Sequence, residues 1–253
     1  MKYLSELTPA EILILTKKNV TQQELLKITF IDLLFKQVLK TFEVKRQPHI
    51  REKVKVYKYV GIGQNYKTYN SQNHERSFLS TFGTDNTVEI LFRNLVKIAF
   101  QKTRTVQDLK NDLIKTPTLK KCFTQNIFQQ FYYGYSLTEY GTELKQKVKK
   151  EIQDAGNKLS DIDNIENQKA IELIKIIGAN IFLLVNLDYE LLNQIDTDLV
   201  TEINRSNSTD GGSGCSSYDW SFDDYSSSFD SGCSSGCSGC GSGCSGCGGD
   251  YKI

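Results

Sequence analysis

Residues 8–38 read TPAEILILTKKNVTQQELLKITFIDLLFKQV, and the first half of the chain is organised around them. Thr8 offers a hydroxyl to the amides of a helical first turn. Pro9 suits the first helical position, where its missing N–H costs nothing, and Glu11 can reach back to complete a capping box. The spacing predicts a helix carrying Ile12, Leu13 and Leu15. The same grammar recurs at once: Thr21 caps, Glu24 closes the box, and Leu25, Ile28, Phe30, Leu33, Leu34 and Val38 continue a mainly helical period. Beyond them the period drops to two. Phe42 and Val44 alternate with Glu43 and Lys45, while Val54, Val56, Lys58 and Val60 alternate with Lys53, Lys55, Tyr57 and Tyr59. Two strands joined through Gln47-Pro48-His49 are expected. Helices followed by a hairpin is the order of a winged-helix unit.

Residues 61–86 show no sustained period and many turn formers, as a connector would. Their Gly61-Ile62-Gly63 lacks the third glycine and the following helix of a phosphate-binding fingerprint. A second unit then repeats the plan. Val88, Leu91, Phe92, Leu95, Ile98 and Ala99 fall at helical spacing; Thr105 opens a helix with Val106, Leu109 and Leu113 on one face; Thr116-Pro117 opens a third with Leu119, Cys122, Phe123 and Ile127. Tyr132-Tyr133-Gly134-Tyr135 follows. Leu137-Thr138-Glu139-Tyr140-Gly141 then leads into a helix through Leu144, Val148 and Ile152, an exit resembling the L-T-x-x-G of many winged-helix regulators. Residues 163–203 add one or two helices built around Ile165, Ile171, Ile174, Phe182, Leu184, Leu191 and Leu199.

The expected fold class is therefore mainly α with small β-hairpins (α+β): two winged-helix-like units plus a helical segment, followed by a disordered Cys-rich tail. The expected divisions are a winged-helix-like unit over 1–60, a connector over 61–86, a second unit over 87–158, a helical segment over 159–204 and the tail over 205–253.

That tail holds six of the seven cysteines. From Gly232 it reads GCSSGCSGCGSGCSGCGG, with Cys233, Cys237, Cys240, Cys244 and Cys247 separated alternately by three and two residues; Cys215 lies upstream. No apolar residue interrupts the run, so it has nothing with which to bury a core. Thiolates at these intervals reach one ion together, as in C-x2–4-C zinc sites, and soft sulfur ligands suit zinc or cuprous copper. The packing residues that surround a zinc finger are missing, so a loose metallothionein-like cluster is expected. Cys215, Cys233, Cys237, Cys240, Cys244 and Cys247 are the candidate metal ligands.

Charge divides along the same boundary. The tail sets Arg205 and Lys252 against Asp210, Asp219, Asp223, Asp224, Asp230 and Asp250, a net −4, whereas the whole chain is +1, leaving residues 1–204 at +5. Such an asymmetry is compatible with contact between body and tail, or with an anionic partner for the body. The N-terminus lacks a secretory pattern, and the longest apolar stretch, 176–187, is broken by Gly178, Asn180 and Asn186. A cytoplasmic location is expected, with reduced thiols or metal sites in place of disulfides.

Catalysis finds little support in the body. His49 and His74 both fall in expected loops, His74 as an exposed residue beside Glu75 and Arg76. Cys122 falls on an apolar helix face, as a buried structural thiol does. Asp161, Asp163 and Glu166 sit at an expected helix start, where they complement its dipole. A nucleic-acid footprint would draw on Arg51, Lys53, Lys55 and Lys58, or on Lys110, Lys115, Lys120 and Lys121; a solvated polar face is the favoured reading of them. Phe123, Ile127, Phe128 and Phe131 make the third helix of unit two too apolar for reading a groove. Trp220, among Tyr218, Phe222, Tyr225 and Phe229, reads as a docking segment or as a plain acidic-aromatic linker.

The L-T-P-x-E start at Leu7–Glu11, the T-P-x-L-K-K of Thr116–Lys121, the L-T-x-x-G of Leu137–Gly141 and the terminal Gly/Ser/Cys run together resemble a poorly characterised bacterial family. Its members share such an N-terminal region and end in a low-complexity Cys-rich tail. Many of them also carry membrane-spanning segments, from which this chain departs. The resemblance implies no catalytic residues. Tails of this kind are also similar to substrates of iron-dependent oxidative enzymes that convert cysteines in ribosomally made precursors, where winged helices recur as leader-recognition elements.

Three functions follow as expectations. The first is a non-enzymatic carrier or scaffold whose tail binds Zn or Cu(I) while the body docks to a metal-handling partner. The second is a precursor-like substrate of a cysteine-modifying oxidative enzyme, with the body as leader. The third is a DNA-binding regulator with a thiol sensor tail.

Overall fold

Both anticipated capping boxes form. In the computed structural model, which describes residues 1–47, 49, 51, 53–83, 87–103, 105–124, 135–160 and 167–184, the Thr8 hydroxyl accepts from Glu11 N while Glu11 Oε2 accepts from Thr8 N at 2.8 Å. Thr21 and Glu24 repeat the exchange. Each cap contributes about 1 kcal/mol. The helices they open, α2 (Pro9–Thr16) and α3 (Gln22–Phe35), follow a short α1 (Lys2–Glu6).

Helix α1 has no capping side chain of its own. Glu151, far along the chain, accepts from Tyr3 N at 2.9 Å and Leu4 N at 3.0 Å. At the other end Asn180 donates to Leu4 O at 2.7 Å and Leu7 O at 2.9 Å. The orphan groups of both helix ends are thus met by tertiary partners.

Helix α3 ends at Phe35, three residues before its apolar period would suggest. Gln37 N donates to Leu34 O and Val38 N to Leu33 O, a Schellman ending, with Gln37 at φ 55 in the position glycine usually takes. Val38 then leads into strand β1 (Leu39–Arg46), which pairs antiparallel with β2 (Lys55–Ile62) from Leu39↔Ile62 to Arg46↔Lys55. The two-residue β3 (Ile90–Leu91) joins the far side of β2, giving the order β1-β2-β3. The helix expected from Val88 therefore begins later, as α5 (Phe92–Thr103), because Ile90 and Leu91 bond to Val60 and Tyr59.

The segment 61–86 lacks period but is not merely passed over by the core. It holds a 3-10 turn (Asn73–Glu75) and α4 (Arg76–Leu79), and it buries Phe78 and Phe82. The Phe30 ring meets Phe78 at 5.5 Å and Phe92 at 5.0 Å between centroids. Helix α6 (Val106–Ile114) is capped by Thr105 and Asp108 and buries Leu109 and Leu113 as its spacing predicts.

The third helix expected from Thr116-Pro117 is corrected up to Thr124: residues 115–122 form hydrogen-bonded turns and enter β4 (Phe123–Thr124). Strand β4 pairs with β5 (Ser136–Leu137), which leads into α7 (Glu139–Ser160). Leu144, Val148, Ile152, Ala155 and Leu159 line its buried face. Helix α8 (Asn167–Ile177) and a 3-10 segment (Gly178–Leu183) follow. Ile127, Phe128, Phe131 and Tyr132–Gly134, with Asp161, Asp163, Glu166 and everything after Leu184, lie outside the described residues.

The chain is thus mixed, mainly helical with small antiparallel sheets. One hydrophobic cluster runs from Leu4 to Ile181 and draws on both expected units.

Candidate functional site

Three places hold chemistry-bearing side chains: a buried junction of sequence motifs, a buried ionic cluster, and the outer part of the β1–β2 hairpin.

At the junction, Glu11 is buried, and its second carboxylate oxygen accepts from the Thr118 hydroxyl. The Thr116 hydroxyl bonds to Leu113 O at 2.8 Å and lies 3.1 Å from that of Thr118. Thr138 N donates to Cys122 O at 3.0 Å, and the Thr138 hydroxyl to Lys121 O at 2.8 Å. Gly141 lies so close that a Cβ there would fall 2.1 Å from Cys122 O. The L-T-P-x-E, T-P-x-L-K-K and L-T-x-x-G motifs therefore meet in one place and tie α2, the 115–122 turns and α7 together. Cys122 is buried as expected, although in a turn and not on a helix. Burial, then the nearby Glu11 carboxylate, push its thiol up from its ordinary value, which opposes a nucleophilic role.

The ionic cluster gathers Asp32 and Lys36 of α3 with Tyr69 and Glu75. Lys36 Nζ lies 2.6 Å from Asp32 Oδ2, 3.9 Å from Glu75 Oε1 and 3.3 Å from Tyr69 Oη. Tyr69 donates to Glu75 Oε1 at 2.6 Å, and Gln72 N to Glu75 Oε2 at 2.7 Å. Burial raises both carboxyls above their usual range; Lys36 opposes it at Asp32, and the bonds from Tyr69 and Gln72 oppose it at Glu75. Burial and then Glu75 likewise raise the Tyr69 phenol.

His74 corrects an expectation. It is buried, with Nδ1 lacking a hydrogen-bond partner among the described residues, and desolvation followed by Lys36 lowers its pKa to about 3. Its imidazole is neutral at physiological pH. His49 is exposed in the hairpin loop, as its surroundings suggest, and its Nδ1 accepts from Arg51 N at 3.3 Å.

The hairpin differs from both. Its register puts Lys40, Phe42, Val44 and Arg46 on one face with Tyr59, Tyr57 and Lys55 opposite them. Phe42 and Tyr59 stack at 5.8 Å, and the Arg46 guanidinium sits 5.8 Å from the Tyr59 ring centroid. The other face packs Leu39 and Val60 into the core at its base, then carries Glu43, Lys45 and Val56 outward into solvent. Val54 and Val56 are 56% and 52% exposed. Glu43 pairs with Lys58 at 3.9 Å.

Among the described residues, no group of three or more His, Cys, Asp or Glu side chains is arranged to hold a metal. Cys215, Cys233, Cys237, Cys240, Cys244 and Cys247 lie outside them, as do Tyr218, Trp220, Phe222, Tyr225 and Phe229. Lys115, Lys120 and Lys121 stand on or beside the motif junction, with Lys110 on α6, not on one presented helix. No described helix is long and apolar enough to cross a membrane. No family model, curated protein or solved structure matches the chain.

Proposed function

We propose that this protein is a non-enzymatic thiol carrier, in which the helical body docks to a metal-handling protein partner and the Cys-rich tail takes up soft metal ions, Zn(II) or Cu(I). One observation carries the reading: cysteine is divided unequally between body and tail. The body's single thiol, Cys122, is sealed in the core with its ionisation opposed, while the tail holds six, five of them at two- and three-residue intervals through Gly and Ser. The buried titratable groups of the body support the same division. Asp32, Lys36, Tyr69 and Glu75 bond to one another, and His74 is a desolvated neutral imidazole, an arrangement suited to holding α3 against the 69–82 segment.

On this reading the body comprises two winged-helix-like units, supported by the order α2-α3-β1-β2 and its partial echo α5-α6-β4-β5. Kinship to the bacterial family with Gly/Ser/Cys tails and a cytoplasmic setting belong to the same proposal. The motifs supporting that kinship are the ones that meet at the Glu11–Thr118–Gly141 junction.

The test is a metal titration of the reduced full-length chain against a chromophoric chelator. About one ion for every three to four tail thiolates is expected. Uptake disappears when Cys215, Cys233, Cys237, Cys240, Cys244 and Cys247 are all changed to Ser, and persists in Cys122→Ala. Uptake that survives the sixfold change overturns the assignment. A tail mass from native cells that departs from the encoded one at its cysteines replaces it with the modification-substrate reading.

A further inference from the structure

The positive charge of the body is concentrated in one place. Residues 39–62 hold Lys40, Lys45, Arg46, Arg51, Lys53, Lys55 and Lys58 against Glu43 and Glu52, a net +5. That equals the excess carried by the whole of residues 1–204, so the remaining body is neutral on balance. The structure puts this charge on a hairpin whose outer part is not covered by the core. Lys45, Arg46, Arg51, Lys53 and Lys55 are exposed, and Phe42, Val44, Tyr57 and Tyr59 form a half-buried stripe between Lys40 at the base and Arg46 and Lys55 near the tip. Two of the four large apolar side chains most exposed among the described residues, Val54 and Val56, belong to the same hairpin. Among the described residues, strand β1 is also an edge of its sheet.

We propose that the β1–β2 hairpin is the docking site of this chain's own acidic-aromatic segment, residues 218–230, YDWSFDDYSSSFD. The segment matches the surface in kind and in charge. Asp219, Asp223, Asp224 and Asp230 supply −4, while Tyr218, Trp220, Phe222, Tyr225 and Phe229 supply rings for the Phe42–Tyr59 stripe. Aromatic pairing adds to area burial, and the exposed cations neutralise the carboxylates at the rim.

The course of the chain favours the contact. Gly178, near the end of the described residues, stands where a Cβ would lie 3.9 Å from the Phe35 ring, and Phe35 is the last residue of α3, just before β1. The last described element is thus packed near the hairpin's root. Thirty-five residues separate Leu184 from Asp219, a length of about 50 Å even if wholly helical. A tethered segment of this kind presents itself at roughly millimolar effective concentration, which an external polyanion must overcome. Docking would also hold the root of the cysteine string at the hairpin, since Cys233 lies three residues beyond Asp230.

Trp220 is the only tryptophan, so its fluorescence reports on the segment alone. In the reduced full-length chain at low salt, acrylamide quenching is expected to be about threefold weaker than in an isolated peptide of residues 218–230, with emission shifted to the blue. High salt should abolish the difference. Lys53→Glu with Lys55→Glu should abolish it at low salt, and adding Asp223→Lys with Asp224→Lys should restore it, because the charges are exchanged and not removed. Quenching equal to that of the peptide in the wild-type chain overturns the proposal. So does protection that survives both salt and the hairpin substitutions, which would locate the segment elsewhere. A single-stranded oligonucleotide that binds the hairpin without moving the Trp220 signal overturns it as well, giving the surface to nucleic acid. Each readout is independent of metal uptake, so failure here leaves the carrier assignment standing.

Discussion

The interior around α3 and the outer half of the β1–β2 hairpin invert the usual placement of side chains. In the first, Glu11, Asp32, His74 and Glu75 are buried; in the second, Val54 and Val56 stand in solvent. The interior carboxylates are there because partners meet them: Glu11 closes a capping box and holds Thr118, Lys36 serves Asp32, and Tyr69 serves Glu75. A buried carboxylate left without such partners would cost several kcal/mol. The hairpin valines have no comparable reason within the fold. Burial of polar groups here reflects architecture, and the exposed valines lie on the surface proposed for docking.

That contrast is most severely tested at the motif junction. Gly141→Ala should destabilise by about 3 kcal/mol in urea unfolding, since the new Cβ would stand 2.1 Å from the Cys122 carbonyl oxygen. The sign is informative, because the same change inside an ordinary helix stabilises by about 1 kcal/mol. A neutral result would mean that the three motifs do not lock together.

Next in size is Lys36→Met, which leaves Asp32 and Glu75 buried without their cation. A loss of about 2 kcal/mol at neutral pH is expected, discounted because the Lys36 side chain is 34% exposed. The deficit should shrink on acidification as the two carboxyls, both raised, take up protons. A deficit independent of pH would remove the ionic account of the cluster.

His74 gives a graded effect. Its folded pKa of about 3 lies below the ordinary 6.5, so the unfolded chain binds the extra proton between those values. Stability is therefore complete above pH 6.5 and falls as pH drops toward 3, with a slope of up to about 1.4 kcal/mol per unit from this group. Asp32 and Glu75 act in the opposite sense, gaining stability as they protonate, so the measurement is the difference between wild type and His74→Gln across that window. Parallel curves would mean that the imidazole is solvated.

The smallest effect belongs to the hairpin. Val56→Thr should change stability by less than about 0.5 kcal/mol, while Val60→Ala, on the same face of the same strand, should cost about 2 kcal/mol. A large loss at Val56 would show that the hairpin end packs against the body.

Much of the local structure was readable from residues. The capping boxes at Thr8 and Thr21, the alternation of β1 and β2, and the buried face of α7 follow from side chains three or two positions apart. The Gln37 turn was not readable, because its left-handed backbone is usually announced by glycine. The Thr116–Cys122 turns were missed because T-P opens helices more often than it opens turns that end in a strand.

By itself, the sequence determined where α2, α3 and α6 start, which strands alternate, how cysteine and charge divide between body and tail, and that the Gly/Ser/Cys run from Gly232 to Gly249 has no aliphatic or aromatic residue with which to build a core. All of these are set by neighbours along the chain. Tertiary structure alone decided that Glu151 and Asn180 would cap α1, that His74 would be buried, and that Glu11 would meet Thr118. The reason is separation: Glu151 lies 148 residues from Tyr3, and Thr118 lies 107 from Glu11. No periodicity within either segment carries information about a partner so distant; only the packing of the helices brings them together.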